Sequence, residues 1–382
     1  MKGKGVERVL VTGGAGFIGS HTADLLVKQG YDVTVLDNLE PQVHGIERKH
    51  PAYLNKNATF VLGDIRQREP VEKLILENDA VIHLASTVGV GQSMYEIERY
   101  ISANTQGTAV LLDTLANEEH NVRKLLVASS MSLYGEGKYR CEKCGSDAFP
   151  GLRTEEQLEK KLWEHSCPSC GSFLKPLPTD EGKPLMPTSI YAMSKRHQEE
   201  MCLLIGKTYG IPTVALRYFN VYGSRQSLSN PYTGACAIFS SRILNGKPPY
   251  IFEDGNQLRD FIHVKDVAKA TLNALEYNNA NYTVVNIGTG KPISIVKLAE
   301  TLIEVYEAKL KPYISSRYRK GDVRHCYADI QRAERLLNFK AKISLKEGLG
   351  ELAEWAKLHG WISIDLFQKA LEELEERELV NR

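Results

Sequence analysis

The chain lacks any long apolar run. No window approaches the roughly 20 apolar residues of a membrane helix, and the opening MKGKGVERVLVTGG holds no apolar stretch of signal-peptide length. A membrane partner is therefore not expected, and the setting reads as cytoplasmic. Charge of one sign is missing too: 48 Lys plus Arg stand against 47 Asp plus Glu, a formal net charge of +1. That leaves no basic field for nucleic acid, so an anionic ligand must be met by a few placed groups. Cysteine is scarce, 7 in 382 residues, and an odd number containing two CxxC pairs favours a metal over disulfides inside a cell. The lone Cys202, Cys236 and Cys326 read as buried thiols. Hydrophobic residues at 42% and charged residues at 25% are ordinary globular usage, which excludes a fibre or a disordered tail.

What is present is a rhythm of short apolar, β-rich runs alternating with helical stretches: ERVLVTG, DVTVLDN, ATFVLGD and AVIHLAS, then KLLVASS at 124–130, TVALRYFN at 213–220 and TVVNIGTG at 283–290. That pattern predicts an α/β fold with a doubly wound parallel sheet. The expected organisation is a dinucleotide-binding domain over 1–222 to which 262–290 returns, a smaller substrate domain mainly over 223–357, and a C-terminal helix over 358–382. The stretch LFQKALEELEERELV in that helix reads as a solvated surface helix. Residues 137–175 break the rhythm and read as an inserted module.

In VLVTGGAGFIGS, glycines follow an apolar strand and open a helix. Glycine is needed there because the turn takes unusual backbone angles and a Cβ would block pyrophosphate from the helix N-terminus. Asp37 ends the next strand, where its carboxylate accepts from adenosine ribose hydroxyls and repels a 2′-phosphate, favouring NAD over NADP. Asp64 and the pair Leu84 and Ala85 close the third and fourth strands at the same sheet edge.

Further on, Tyr191 and Lys195 stand four apart in SIYAMSKRHQEEMCLLIGK, one turn along a helix. A tyrosine is a poor base at neutral pH, with a reference pKa of about 10. A nearby ammonium and an oxidised nicotinamide stabilise its phenolate. Ser129 and Ser130 bring hydroxyls to the same edge, and Ser130 is placed to share a substrate proton with Tyr191.

Taken in order, TGGAGFIGS, VLDN, GDI, HLAS, SSMSLYG, YAMSK, RYFNVYG and RDFIHVKDVA resemble the extended short-chain dehydrogenases, specifically the NAD-dependent epimerase/dehydratase group, over about residues 7–357 apart from the insert. The resemblance implies Ser130, Tyr191 and Lys195 as the catalytic trio. It implies cofactor positions at Gly13, Gly16, Phe17, Ile18, Gly19, Asp37, Asn38, Asp64, Ile65, Leu84, Ala85, Asn104, Ser129, Tyr191, Lys195 and Tyr218. Substrate positions are implied at Ser130, Ser132, Asn220, Arg259 and Arg319, with 230–244 as a lid over the nucleobase. The implied reaction passes the C4 hydride of a nucleotide-diphosphate sugar to NAD and returns it to the other face. Dehydratases of this group carry an Asp-Glu pair after the catalytic hydroxyl residue; here those positions are Met131 and Ser132, which supply no acid and base. Val88 stands where UDP-galactose 4-epimerases carry lysine, and Phe261 where they often carry tyrosine. The chain is most similar to a subgroup acting on dTDP-L-rhamnose, with UDP-glucose or UDP-N-acetylglucosamine 4-epimerases next and reductases or dehydratases after them. A homodimer is implied by the same resemblance, through helices over 104–117 and 191–207.

Within the insert, Cys141-x-x-Cys144 and Cys167-x-x-Cys170 form two knuckles of the kind that close four thiolates around structural zinc, with an iron centre or two disulfides as the alternatives. Such a small polar segment buries too little apolar surface to fold without help. Four cysteine ligands leave no open position, so a catalytic role for the metal is not expected.

Overall fold

The computed structural model describes residues 5–228, 230–232, 234–358 and 366–381. Residues 359–365 and 382 of the expected C-terminal helix lie outside them, as do residues 1–4 of the expected first domain. Seven strands, β1 (Arg8–Thr12), β2 (Asp32–Asp37), β3 (Thr59–Leu62), β4 (Ala80–His83), β5 (Lys124–Ser130), β6 (Thr213–Tyr218) and β7 (Thr283–Ile287), form one sheet in the order β7-β6-β5-β4-β1-β2-β3. All the pairings are parallel. The strands are the seven apolar runs of the sequence, and the fold is the Rossmann-like α/β arrangement expected.

Alternation along each strand feeds two cores. In β1, Val9 and Val11 point into the layer that holds Ala23 and Leu26 of helix Phe17–Lys28 and Val267 and Ala270 of helix Val264–Glu276. Leu10 points the other way, to Val71, Leu111 and Cys202. A strand buried on both faces is why these runs read as continuously apolar. Strand order reverses between β1 and β4, and their carboxyl ends open a crevice there.

A second region has its own core, around Phe239, Ile251, Leu298, Leu302 and Leu352. Its sheet joins Asn220–Tyr222 and Leu258–His263 in parallel, with Pro292–Ser294 antiparallel and His325–Cys326 parallel to the latter. The insert is a three-stranded antiparallel sheet, Lys138–Cys141 at its centre between Ser146–Ala148 and Lys175–Leu177. It runs two residues beyond the expected boundary at 175, because Lys175–Leu177 pairs back onto Lys138–Arg140.

The C-terminal helix, Leu366–Glu376, departs from its surface-helix expectation. Ala370, Leu371 and Leu374 are buried, with Val380 beyond them, against Tyr95, Tyr250 and Phe252. Amphipathic spacing gave the helix but not the partner for its apolar face. No described helix is long and apolar enough to cross a membrane.

Candidate active site

One cleft of about 680 Å³ runs along the carboxyl edge of the sheet into the second region. Gly13, Gly16, Phe17, Ile18 and Gly19 line one end, with Asp37, Asn38, Asp64, Ile65, Leu84 and Ala85. Gly13 sits at φ +68, and a Cβ there would lie 2.8 Å from the backbone of Ala85; one on Gly19 would lie 2.3 Å from the Gly13 carbonyl oxygen. The loop is therefore held close to β4 by glycine alone. Asp37 accepts from the Ala15 and Leu39 amides, at 3.0 and 2.9 Å, so its carboxylate also pins the glycine loop. Burial raises its pKa, opposed by those amides and by His44. Asp64 is pulled down to about 2, chiefly by hydrogen bonds from Arg66, and accepts from Asn38 at 3.0 Å. These features fit a dinucleotide.

Midway lie Ser130, at the end of β5, and Tyr191, in the first turn of helix Ile190–Thr208. Ser189 caps that helix by accepting from the Ala192 amide at 3.1 Å, while the Tyr191 amide donates to Ser93 Oγ at 3.0 Å. The Ser130 hydroxyl accepts from the Ser132 amide and hydroxyl, at 3.1 and 2.9 Å, and lines the cleft together with Tyr191. Burial pushes the Tyr191 phenol up to about 12, with the nearby Ser130 hydroxyl acting against it. The spacing of Tyr191 and Lys195 suggested that the ammonium acts on the phenol directly. In the structure Lys195 Nζ donates to Gln198 Oε1 at 2.6 Å, and burial pulls Lys195 down to about 7. Burial thus favours the uncharged form of both groups.

Behind this pair is a network that sequence reading missed. Gln198 donates to Thr108 Oγ1 at 2.8 Å and lies 3.1 Å from His83 Nε2; His83 Nδ1 meets Thr12 Oγ1 at 2.8 Å. Burial holds His83 down to about 3, so it is neutral. Gln198 stands three residues after Lys195, a helical neighbour, and that spacing was the available signal.

Two expected cofactor residues sit differently. Asn104 is fully buried behind the cleft wall, bridging Thr87 and Ser194 from a π-helical segment, Ile101–Gln106. Ser129 reaches the wall, but its hydroxyl donates to Glu199, which is also paired with Arg217. Tyr218 lines the cleft with its hydroxyl 2.8 Å from Thr271 Oγ1.

Ser132, beside Ser130, and Asn220, Arg259 and Arg319 also line the cleft. Asn220 Oδ1 is buried without a hydrogen-bond partner among the described residues, a costly state that a ligand donor relieves. Arg259 already donates to the Leu258, Arg324 and Val323 carbonyls, while Arg319, the more exposed, donates to Asp322 and stacks on Phe252 at 4.8 Å. Burial would raise Asp322, but the two arginines hold it below the usual carboxylate range. Within the stretch 230–244 expected as a lid, helix Ala235–Leu244 puts Ala235, Cys236, Ile238 and Phe239 on the cleft, and residue 233 lies outside the described residues.

In the insert, the four Sγ atoms of Cys141, Cys144, Cys167 and Cys170 lie within 4.8 Å of one another. Cys141 to Cys170 is 3.5 Å and Cys144 to Cys167 is 3.9 Å. These bracket the edge of about 3.8 Å for a tetrahedron with metal–sulfur bonds of about 2.3 Å, and they are far too long for disulfides. The donor set fits zinc.

Residues 9–288 match the model of the NAD dependent epimerase/dehydratase family. A dTDP-L-rhamnose 4-epimerase from Burkholderia thailandensis is 34% identical, over 91% of this chain and 94% of its own. The structure of UDP-glucose 4-epimerase from Thermotoga maritima, solved with UDP-glucose, superimposes with TM-score 0.75 at 32% identity, covering 92% of this chain and 99% of that one. UDP-glucuronic acid 4-epimerase from Bacillus cereus, solved with UDP-glucuronic acid and NAD, gives 0.72 at 29% identity, with 92% and 99% covered.

Proposed function

The chain belongs to the NAD dependent epimerase/dehydratase family and is an NAD-dependent nucleotide-sugar 4-epimerase; from that premise we propose that its substrate is a nucleotide-linked 6-deoxyhexose, dTDP-L-rhamnose. The observation that carries the reading is that Ser130, Tyr191 and Lys195 line one cleft with the glycine loop. Tyr191 takes the proton of the sugar 4-hydroxyl, and Ser130 holds that oxygen in line. Lys195 supplies the positive charge that lets the phenol ionise once the site is filled. When bound, NAD supplies the hydride acceptor and donor, so no reductant is consumed. The glycine loop, Asp37, Asn38, Asp64, Ile65, Leu84, Ala85 and Tyr218 hold it, while Asn104 and Ser129 act behind them.

Asn220, Arg259 and Arg319 meet the diphosphate, and Ser132 the sugar. Met131 and Ser132 offer no carboxylate for dehydration. Val88 and Val90 make the cleft apolar where they line it, which supports a sugar lacking one hydroxyl. UDP-glucose or UDP-N-acetylglucosamine is the second reading, favoured by the likeness to the Thermotoga maritima enzyme.

Cys141, Cys144, Cys167 and Cys170 hold one structural zinc. That four cysteines suit a metal and Cys202, Cys236 and Cys326 are buried thiols supports a reducing, cytoplasmic setting, and two copies pair into a homodimer.

The test is NMR of the purified protein with dTDP- and UDP-hexoses and no added cofactor, where a C4 epimer of dTDP-L-rhamnose is expected. Absence of any C4 epimer would overturn 4-epimerisation. Tyr191→Phe is expected to lower turnover at least about 100-fold while NAD stays bound.

A further inference from the structure

The C-terminal helix Leu366–Glu376 is a wall of the cleft. Phe367, Ala370, Leu371 and Leu374, spaced to share one helical face, line it, and Leu379 follows beyond the helix. Each of these side chains is apolar. The facing wall brings Gly91, where a Cβ would stand 3.5 Å from Leu374 Cδ2, beside Val88 and Val90. Tyr250 and Phe252 complete the enclosure, with the Tyr250 ring tilted against Phe367 at 5.3 Å.

The helix is clamped on two sides. Glu373 accepts from Tyr232 at 2.6 Å and from Tyr95 at 3.1 Å, and Arg377 lies 4.2 Å over the Tyr95 ring. Arg317 pairs with Glu375 at 2.6 Å and donates to the Asn381 carbonyl at 2.7 Å. The Lys320 amide donates to Leu379, and Arg319 bridges Val380. The segment that presents Arg319 to the cleft is therefore held by the same C-terminal element.

We infer that Leu371 and Leu374 are specificity residues that select nucleotide sugars presenting a methyl group to this wall, against counterparts with a hydroxyl or hydrogen in its place. The inference rests on the nucleotide-sugar reading above. A methyl group gains by burial against leucine, whereas a hydroxyl there loses its water and finds no donor or acceptor on the helix face. Two methyl groups answer this description: C6 of a 6-deoxyhexose and the 5-methyl of thymine.

The experiment takes the hexose that the enzyme epimerises and compares four forms of it, 6-deoxy or 6-hydroxy, each on dTDP or on UDP. The wild type is expected to favour the methyl-bearing member of one matched pair by roughly 10-fold or more in kcat/KM. The pair showing the preference identifies which methyl meets the helix. Leu371→Asn and Leu374→Asn, assayed at full NAD occupancy, are expected to cut that ratio below about 3-fold. Equal kcat/KM within both pairs overturns the inference while leaving epimerisation standing, and so does an unaltered ratio in well-folded variants. Turnover of no nucleotide hexose overturns the functional reading instead. The wild-type comparison decides even where a variant does not fold.

Discussion

A phenol pushed up to about 12 and an ammonium pulled down to about 7 share the middle of the cleft, and burial is the main cause in both. Catalysis needs the reverse pair of charge states, a phenolate and a protonated lysine. Gln198 Oε1 is the acceptor that favours the charged form of Lys195. Replacing it with leucine removes a hydrogen bond to an ionised group, worth about 1.5–3 kcal/mol, and so lowers the Lys195 pKa further. For Gln198→Leu the limb of the kcat–pH profile on which Lys195 loses its proton is expected to move acid by about one unit or more; a limb in its wild-type place would remove Gln198 from this role. The same depression bears on stability. Between the folded value of about 7 and the ordinary value of 10.5, the unfolded chain binds a proton that the folded chain does not. This group's contribution to stability therefore rises with pH across that window and is at its least below it. Lys195→Met is expected to raise the ligand-free melting temperature at pH 7, by more than at about pH 10, while activity is lost. A shift equal at both pH values would show that the Lys195 charge is not what destabilises the fold.

The elements that could be read from the sequence were those whose function is local. The glycine turn, the cysteine knuckles and the tyrosine–lysine pair each lie within a few residues of chain, so spacing carries their geometry. Long-range partners left no such trace. Asn104 matched a cofactor position, but its amide is spent bracing Thr87 and Ser194, and Ser129 is occupied by Glu199. The C-terminal helix showed its apolar stripe but not the cleft that the stripe faces. The insert is joined to the second region by contacts equally hidden in sequence. Arg153 makes a buried bidentate pair with Glu253, and Glu164 takes Arg324 and His325, while Glu136, just before the insert, accepts from the Arg324 amide. Arg324 in turn offers its carbonyl to Arg259, and His325 accepts from the Leu258 amide. Disordering the knuckles should therefore loosen an arginine of the substrate end before it touches the glycine loop. Cys167→Ser is expected to lose zinc, lower the melting temperature and raise KM for the nucleotide sugar about 10-fold, with NAD occupancy kept. Parallel loss of NAD would show that the insert supports the whole fold rather than the substrate end.

At the scale of the whole molecule, one helix faces two ways. The inner side of Ile190–Thr208 carries Lys195, Gln198 and Cys202 into the sheet, while Met193, Glu200, Leu204 and Lys207 stand exposed at spacings that share its outer side. Leu204 is 65% exposed, and Met94 and Ile97 are exposed on the segment that precedes the neighbouring helix. Single exposed apolar residues are commonplace, but a row of them beside a catalytic helix is the kind of surface that a second copy covers. In a two-fold arrangement the same patch meets itself, so one substitution acts twice across the interface. The protein is expected to sediment at about twice its 42.8 kDa chain mass, and Leu204→Glu is expected to give the monomer by placing two carboxylates in apolar contact. Because the inner side of this helix holds Lys195, the monomer is expected to epimerise more slowly, with the cleft residues unchanged. A wild type that sediments as a single chain would leave the outer side a solvated surface.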